Sequence, residues 1–214
     1  MAGQSPCSRQ AGERAAGPPF QGVWIVSIDS EVVAAPQRPA DERAAAGLLR
    51  WLYDLVEDRN VGYLADLRRL HADSVAKLLA GNFAAPGGVA LGPQAVEIFE
   101  RVAFLFTRFH AGETALQRGS GSLGYAMSKV GSADRRGSEN PGCVRLLNQI
   151  LVSRQPPFRR IQHGIDLIRS DSGAPPNWFQ LTVDLLRWTD SERTVQRDWA
   201  RDFYLPHTKS RRMP

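Results

Sequence analysis

Beyond residue 40, apolar residues recur along the chain at helical spacing. In DERAAAGLLRWLYDLVED the residues Leu48, Leu52, Leu55 and Val56 fall on one face, with Asp41 as the expected N-cap and acids in the first turn. Gly62 interrupts the pattern, and GYLADLRRLHADSVAKLLA continues it as one or two helices. PQAVEIFERVAFLFTRFH reads as a further helix opened by Pro93. The stretch QRGSGSLG then precedes a short helix in AMSKV, and GSADRRGSENPG reads as a polar loop. The helical period returns in VRLLNQILV, breaks at Pro156 and Pro157, and resumes in FRRIQHGIDLI. After the turn SDSGAPPN, Asn177 is placed to cap a helix whose Trp178, Leu181, Thr182, Leu185 and Leu186 share one face.

Residues 1–40 break with this pattern. MAGQSPCSRQAGERAAGPPFQ is rich in Gly, Ala, Pro and Ser, with little to pack. GVWIVSIDSEVV has strand-like composition but no second strand to pair with, so it reads as a short strand or an extended arm. The expected fold class is all-α: a compact helical bundle of two subbundles with an irregular N-terminal extension. The expected divisions are an extension over 1–40, a helical subdomain over 41–118, a linking loop and short helix over 119–142, a basic helical subdomain over 143–206, and a tail over 207–214.

Composition adds little until charge is placed along the chain. At 214 residues there is enough chain for a core without staples, and the apolar and charged fractions are those of a globular protein. The formal charge of +5 leans toward polyanionic partners. Residues 1–134 hold 13 Lys and Arg against 14 Asp and Glu, whereas 135–214 hold 14 against 8, so the basic character belongs to the C-terminal part. Of the basic residues only Lys77, Lys129 and Lys209 are lysines. Planar guanidinium suits phosphate recognition, although high genomic GC content produces the same bias. Cys7 and Cys143 lie far apart with no CxxC spacing, as in a reduced protein without structural zinc. The N-terminus lacks the order of a signal peptide and no apolar run reaches membrane-spanning length, so a cytoplasmic protein with no membrane partner is expected.

Candidate chemistry is sparse. GSGSLG, residues 119–124, fits G-x-G-x-x-G, but a dinucleotide site needs a buried strand before the first glycine, and the preceding segment is helical; a flexible loop with a helix start is the better reading. His71, His110, His163 and His207 are scattered without metal-ligand spacing, and no GxSxG elbow marks a nucleophile. No catalytic, cofactor-binding or metal site is expected. What needs explaining is arginine. VRLLNQILVSRQPPFRRIQHGIDLIRS carries Arg145, Arg154, Arg159, Arg160 and Arg169 against the single acid Asp166. In SERTVQRDWARDFY, Arg193, Arg197 and Arg201 fall four apart, opposite Val195, Trp199 and Phe203, so one helix face packs while the other presents charge. That face is open to a plainer reading, solvated and balanced by Asp198 and Asp202. Taken with the preceding segment, the set is better explained by a phosphate track.

Several segments together resemble one family. GYLADLRRLHAD is similar to the alanine-leucine-arginine-arginine segment of the small subunit of type I-E CRISPR Cascade complexes, the CasB family. SLGYAMSK resembles its serine-leucine-glycine motif, VRLLNQILVSR its arginine-flanked apolar helix, and NWFQLTVDLLRW its final tryptophan helix, in the family's order over about residues 43–204. Family members can carry basic residues just after the last tryptophan, whereas here Trp188 is followed by Thr189, Asp190 and Ser191. The resemblance implies a non-catalytic helical protein, present as two copies in contact with the backbone subunits and the large subunit of a guide-RNA complex. It implies contacts with guide RNA and target DNA, above all the displaced non-target strand, which stabilise the R-loop. The implied nucleic-acid-binding residues are Arg68 and Arg69 at the Arg-Arg pair, Arg145 and Arg154 bracketing the apolar helix, and Arg159 and Arg160 beyond it; the charge pattern adds Arg193, Arg197 and Arg201. Two other readings stay open: a helical regulator that binds duplex DNA alone as a dimer, and a scaffold whose arginines meet acidic protein partners.

Overall fold

The structure, a computed structural model, describes residues 39–69, 74–85, 91–92, 94–113, 115–132 and 134–205. The expected N-terminal extension (save its last two residues), the strand-like segment within it, Cys7, Pro93, His71 and His207 lie outside the described residues. Every regular element among the described residues is helical: α1 (Ala40–Glu57), α2 (Val61–Leu67), α3 (Val75–Asn82), α4 (Ala95–Phe109), α5 (Leu123–Met127), α6 (Pro141–Leu151), α7 (Phe158–Ser170), α8 (Trp178–Leu186) and α9 (Thr194–Tyr204), with a 3-10 turn at Gly137–Glu139. None of these helices is long and apolar enough to cross a membrane.

The caps largely follow local chemistry. Asn60, Ser74, Ser122, Asn140 and Asn177 each accept a backbone N–H in the first turn of the helix they precede. Asp41 departs from expectation. The chain enters α1 at Ala40, one residue earlier, behind an uncapped Pro39. The Asp41 carboxylate accepts instead from the guanidinium of Arg187, at 2.8 Å, tying the start of α1 to the end of α8.

Helix α4 sits at the centre and packs against α1, α2, α3, α7 and α8. Its burial runs nearly all round, from Ile98 through Phe99, Val102, Phe106 and Phe109, as expected of a helix with neighbours on several sides. One apolar cluster joins residues before and after the 119–142 segment, because α8 crosses to pack on α1 and α4. Its largest anchors are Trp178, Trp188 and Trp199, all fully buried, and each indole N–H has a partner: Gln117 O at 3.0 Å, Ser153 O at 3.3 Å and Asp184 Oδ2 at 2.6 Å. His110 is likewise satisfied as a neutral ring, with Nδ1 2.8 Å from Phe106 O and Nε2 accepting from Gln117 N at 3.0 Å. Burial holds its pKa below the usual histidine value.

The glycine-rich stretch is a packed clasp and not a flexible loop. Gly119 has φ +72°, and a Cβ there would lie 2.1 Å from Pro176 O. A Cβ on Gly124 would lie 2.0 Å from Trp199 O, so only glycine lets α5 approach the backbone of α9 this closely. Between them, buried Ser122 caps α5 and donates from Oγ to Asp202 Oδ2 at 2.8 Å, while Asn177 N donates to Gly121 O at 2.9 Å. The stretch thus joins α5, α8 and α9, which accounts for a serine-leucine-glycine signature at this place.

Candidate nucleic-acid interface

The arginines singled out by sequence divide into three groups. Arg145, on the outer face of α6, Arg154, in the link over 152–157, and Arg159 and Arg160, in the first turn of α7, are exposed. None of these four side chains has a hydrogen bond or ion pair to the protein among the described residues. Arg69 and Arg201 form a second group, exposed but paired locally. Arg69 lies 3.8 Å from Asp66, and Arg201 lies 3.0 Å from Asp198 and 3.6 Å from Asp202. The long Arg69–Asp66 pair, exposed at both ends, contributes little and exchanges readily, whereas Arg201 is shared between two carboxylates of which Asp202 is mostly buried.

The third group is bound to backbone carbonyls. Arg68 Nε donates to Thr107 O at 3.1 Å, in the last turn of α4, and Arg169 donates to Ala111 O just past its end. Arg193 donates to Leu151 O at the end of α6, and Arg197 to Glu192 O. The last carbonyls of a helix lack intrahelical partners and carry partial negative charge, so a guanidinium there fills an acceptor and complements the dipole. Arg68 and Arg193, which look like phosphate ligands in sequence, are therefore helix-end donors, and Arg169 fills a carbonyl just past the end of α4. Arg193 also does not begin the expected stripe. It precedes α9 in the left-handed region at φ 53°, leaving Arg197 and Arg201 on the helix, while Val195, Trp199 and Phe203 form the buried face as expected.

Two open concavities adjoin the unpaired arginines. Arg145 borders an apolar groove on α6 with Val144, Asn148 and Val152. Arg159 and Arg160 share a second hollow with His163, Phe158 and Arg101. Arg101 was not anticipated: in EIFERVAFLF it reads as a surface residue balanced by Glu97, which does lie 3.3 Å away, and only the fold brings it to α7. Between the two concavities, Trp188 donates to Ser153 O and Arg193 to Leu151 O, so α9 and the segment before it hold the link that carries Arg154.

Little here supports bond-making chemistry. No cluster of three or more His, Cys, Asp or Glu able to hold a metal occurs among the described residues. Cys143 is buried and its thiol is pushed up by burial, away from the reactive thiolate. Among the described residues Asp184 is the one strongly shifted carboxyl: burial drives it up to about 6, against the pull of the Trp199 N–H.

The family model of the CRISPR-associated protein Cse2 matches residues 63–204. This chain belongs to the Cse2 family. The match bears out the resemblance to the small subunit of type I-E Cascade, and it runs from within α2 to the last residue of α9, so all nine candidate arginines lie inside it. Among solved structures, the crystal structure of CasB from Thermobifida fusca superposes with a TM-score of 0.60 at 19% identity, covering 78% of this chain and 98% of that chain. At that identity the likeness speaks for the fold, and it agrees with the all-helical Cse2 architecture described above. No curated protein matches the chain.

Proposed function

We propose that this Cse2-family chain is a non-catalytic Cascade subunit that stabilises the R-loop by sequence-independent arginine contacts to the displaced strand and to the guide-RNA and target path. The observation that carries this reading is the set Arg145, Arg154, Arg159 and Arg160, exposed and without a protein acceptor among the described residues, on a stretch with no acid between Glu139 and Asp166. Arg69, held among the described residues by a long surface pair alone, is the next candidate. Opening a duplex against a guide RNA is a near-balanced exchange of base pairs, so a few phosphate contacts on rigid helices tip it. Base pairing reads the sequence, and the subunit needs no reactive pocket. Its partners in this reading are guide RNA, target DNA, a second copy of itself, and the backbone and large subunits. A stand-alone regulator would need a tight helix-turn-helix corner of about three or four residues. The α6–α7 connection instead runs over 152–157 through two prolines.

The test is an add-back. A guide-RNA complex lacking this subunit receives wild-type protein or an Arg145/Arg154/Arg159/Arg160→Gln variant, and the displaced strand is probed for single-strand reactivity at low and high salt. The variant is expected to join the complex but to lose strand retention, most severely at high salt. Equal retention by both proteins would remove these arginines from the interface. Failure of the wild type to join would overturn the assembly reading itself.

A further inference from the structure

Phe158 opens α7, half-buried against the core, and Arg159 and Arg160 follow it into solvent. From α4, Arg101 brings its guanidinium carbon to 5.5 Å from the centre of the Phe158 ring, while Glu97, one turn back, holds it from the side at 3.3 Å. Arg101, Phe158, Arg159 and Arg160, with Gln162 and His163, line an open hollow of about 750 Å³. A phosphate alone calls for the cations but has no use for an aromatic ring beside them. A hydrophobic protein segment would use the ring but would strand Arg159 and Arg160 without acceptors. A planar cation set on an aromatic ring is a surface on which another flat π-system stacks, and two further guanidinium groups stand beside it for an anion.

We propose that the hollow between α4 and α7 is a subsite for one nucleotide of a single strand, with the base stacked at the Arg101–Phe158 pair and the phosphate held by Arg159 and Arg160. Duplex DNA keeps its base faces covered, so the subsite favours strands that are already open; His163 and Gln162 offer hydrogen-bonding groups at the rim without requiring one base. This subsite rests on the reading that the α6–α7 arginines bind nucleic acid. It goes further in making an apolar residue, Phe158, and an arginine outside the basic segment, Arg101, determinants of strand type.

The experiment titrates the full chain with a short fluorescent thymidine strand and with an abasic strand of the same length and phosphate count, at two salt concentrations. Wild type is expected to bind the base-bearing strand at least about fivefold more tightly, the size of one stacking contact. Phe158→Leu keeps an apolar anchor but no ring, and is expected to bring the two strands to equal affinity with the salt dependence unchanged; Phe158→Tyr is expected to restore the difference. Arg159→Gln with Arg160→Gln is expected to weaken both strands alike and flatten the salt slope by about 0.7, the one phosphate they hold. Thermal melts run alongside establish that each variant is folded. Equal binding of the two strands by wild type, or a difference that survives in Phe158→Leu, overturns the subsite and leaves the arginine reading intact. Absence of binding to either strand even at low salt overturns that reading, and the subsite falls with it.

Discussion

At the α8–α9 corner, Arg187 meets Asp41 and Glu42, Arg193 and Arg197 meet backbone carbonyls, and Arg201 meets Asp198 and Asp202. Along α6 and α7, Arg145, Arg154, Arg159 and Arg160 meet no protein acceptor among the described residues. The two regions have the same residue type at similar density, yet in one the charge helps to build the fold and in the other it faces outward. What separates them is the supply of acceptors. The corner holds Asp184, Asp190, Glu192, Asp198 and Asp202 and presents the ends of helices, whereas no acid lies between Glu139 and Asp166. Spacing along a helix says where a guanidinium points, and only the neighbouring acceptors say whether it is free.

The strongest way to break the corner is Gly124→Ala. A Cβ 2.0 Å from Trp199 O cannot be absorbed by a side-chain rotation, since the obstructing atom is backbone. Separating α5 from α9 would also stretch the Ser122–Asp202 hydrogen bond. We expect a loss of about 3 kcal/mol, or a fall of roughly 10 °C in melting temperature by circular dichroism. Gln at Arg145, Arg154, Arg159 or Arg160 should change stability by less than about 0.5 kcal/mol each. A Gly124→Ala protein that melts with the wild type would mean that the clasp yields, and the corner would lose its claim to be the rigid half of the comparison.

A smaller effect is expected from pH. Asp184 has its folded pKa raised from 3.8 to about 6, mainly by burial, with Asp198 and Asp202 pushing the same way and Trp199 and Arg187 opposing. A raised folded pKa means that the native state keeps a proton the unfolded chain has released. The associated stabilisation is complete below about pH 3.8 and is lost as pH rises through about 6. Above that, the ionised carboxylate costs roughly 2 to 3 kcal/mol. Asp184→Asn keeps an acceptor for the Trp199 N–H, so its stability relative to wild type should climb between pH 4 and 6 and level off above. His110 works in the opposite sense, since its depressed pKa costs stability as pH falls below the usual histidine range. Taking the difference between the two proteins' denaturation curves removes the His110 contribution. A flat difference curve would show that Asp184 is ionised without penalty and that the corner tolerates more charge than its packing suggests.

How far the sequence foretold this molecule follows from the range of the interactions involved. Helices at the spacing of Leu48, Leu52 and Leu55, the Asn177 cap and the packed face of Val195, Trp199 and Phe203 all depend on residues a few positions apart, and these were legible. The role of GSGSLG was not, because what demands glycine there is the carbonyl of Pro176 and the carbonyl of Trp199, both far along the chain. Asp41 departs from its expected capping role for the same reason: its partner, Arg187, lies 146 positions along the chain. At the interface, the exposed arginines of α6 and α7 were legible through the absence of acids around them. Arg68, Arg169 and Arg193 were not separable from them, since the carbonyls they fill carry no sequence signal. Arg101 was hidden by a contact with Phe158 across 57 positions of chain.

The finest test of the comparison is the smallest in energy. Arg145 and Arg201 are both exposed helix arginines, and replacing either with Gln should shift stability by only a few tenths of a kcal/mol. In the reconstituted complex they should differ. Arg145→Gln removes an uncompensated charge, so the dependence of strand retention on the logarithm of salt concentration should fall by about 0.7, one phosphate on a single strand. Arg201 begins with two carboxylates within 3.6 Å, and a phosphate would have to displace them, with little net release of counterions. Its replacement should leave the slope where it was. An equal fall for both variants would mean that Asp198 and Asp202 surrender Arg201 when a strand arrives, and the boundary between fold-building and outward-facing arginine would then be set by the ligand instead of by the folded chain.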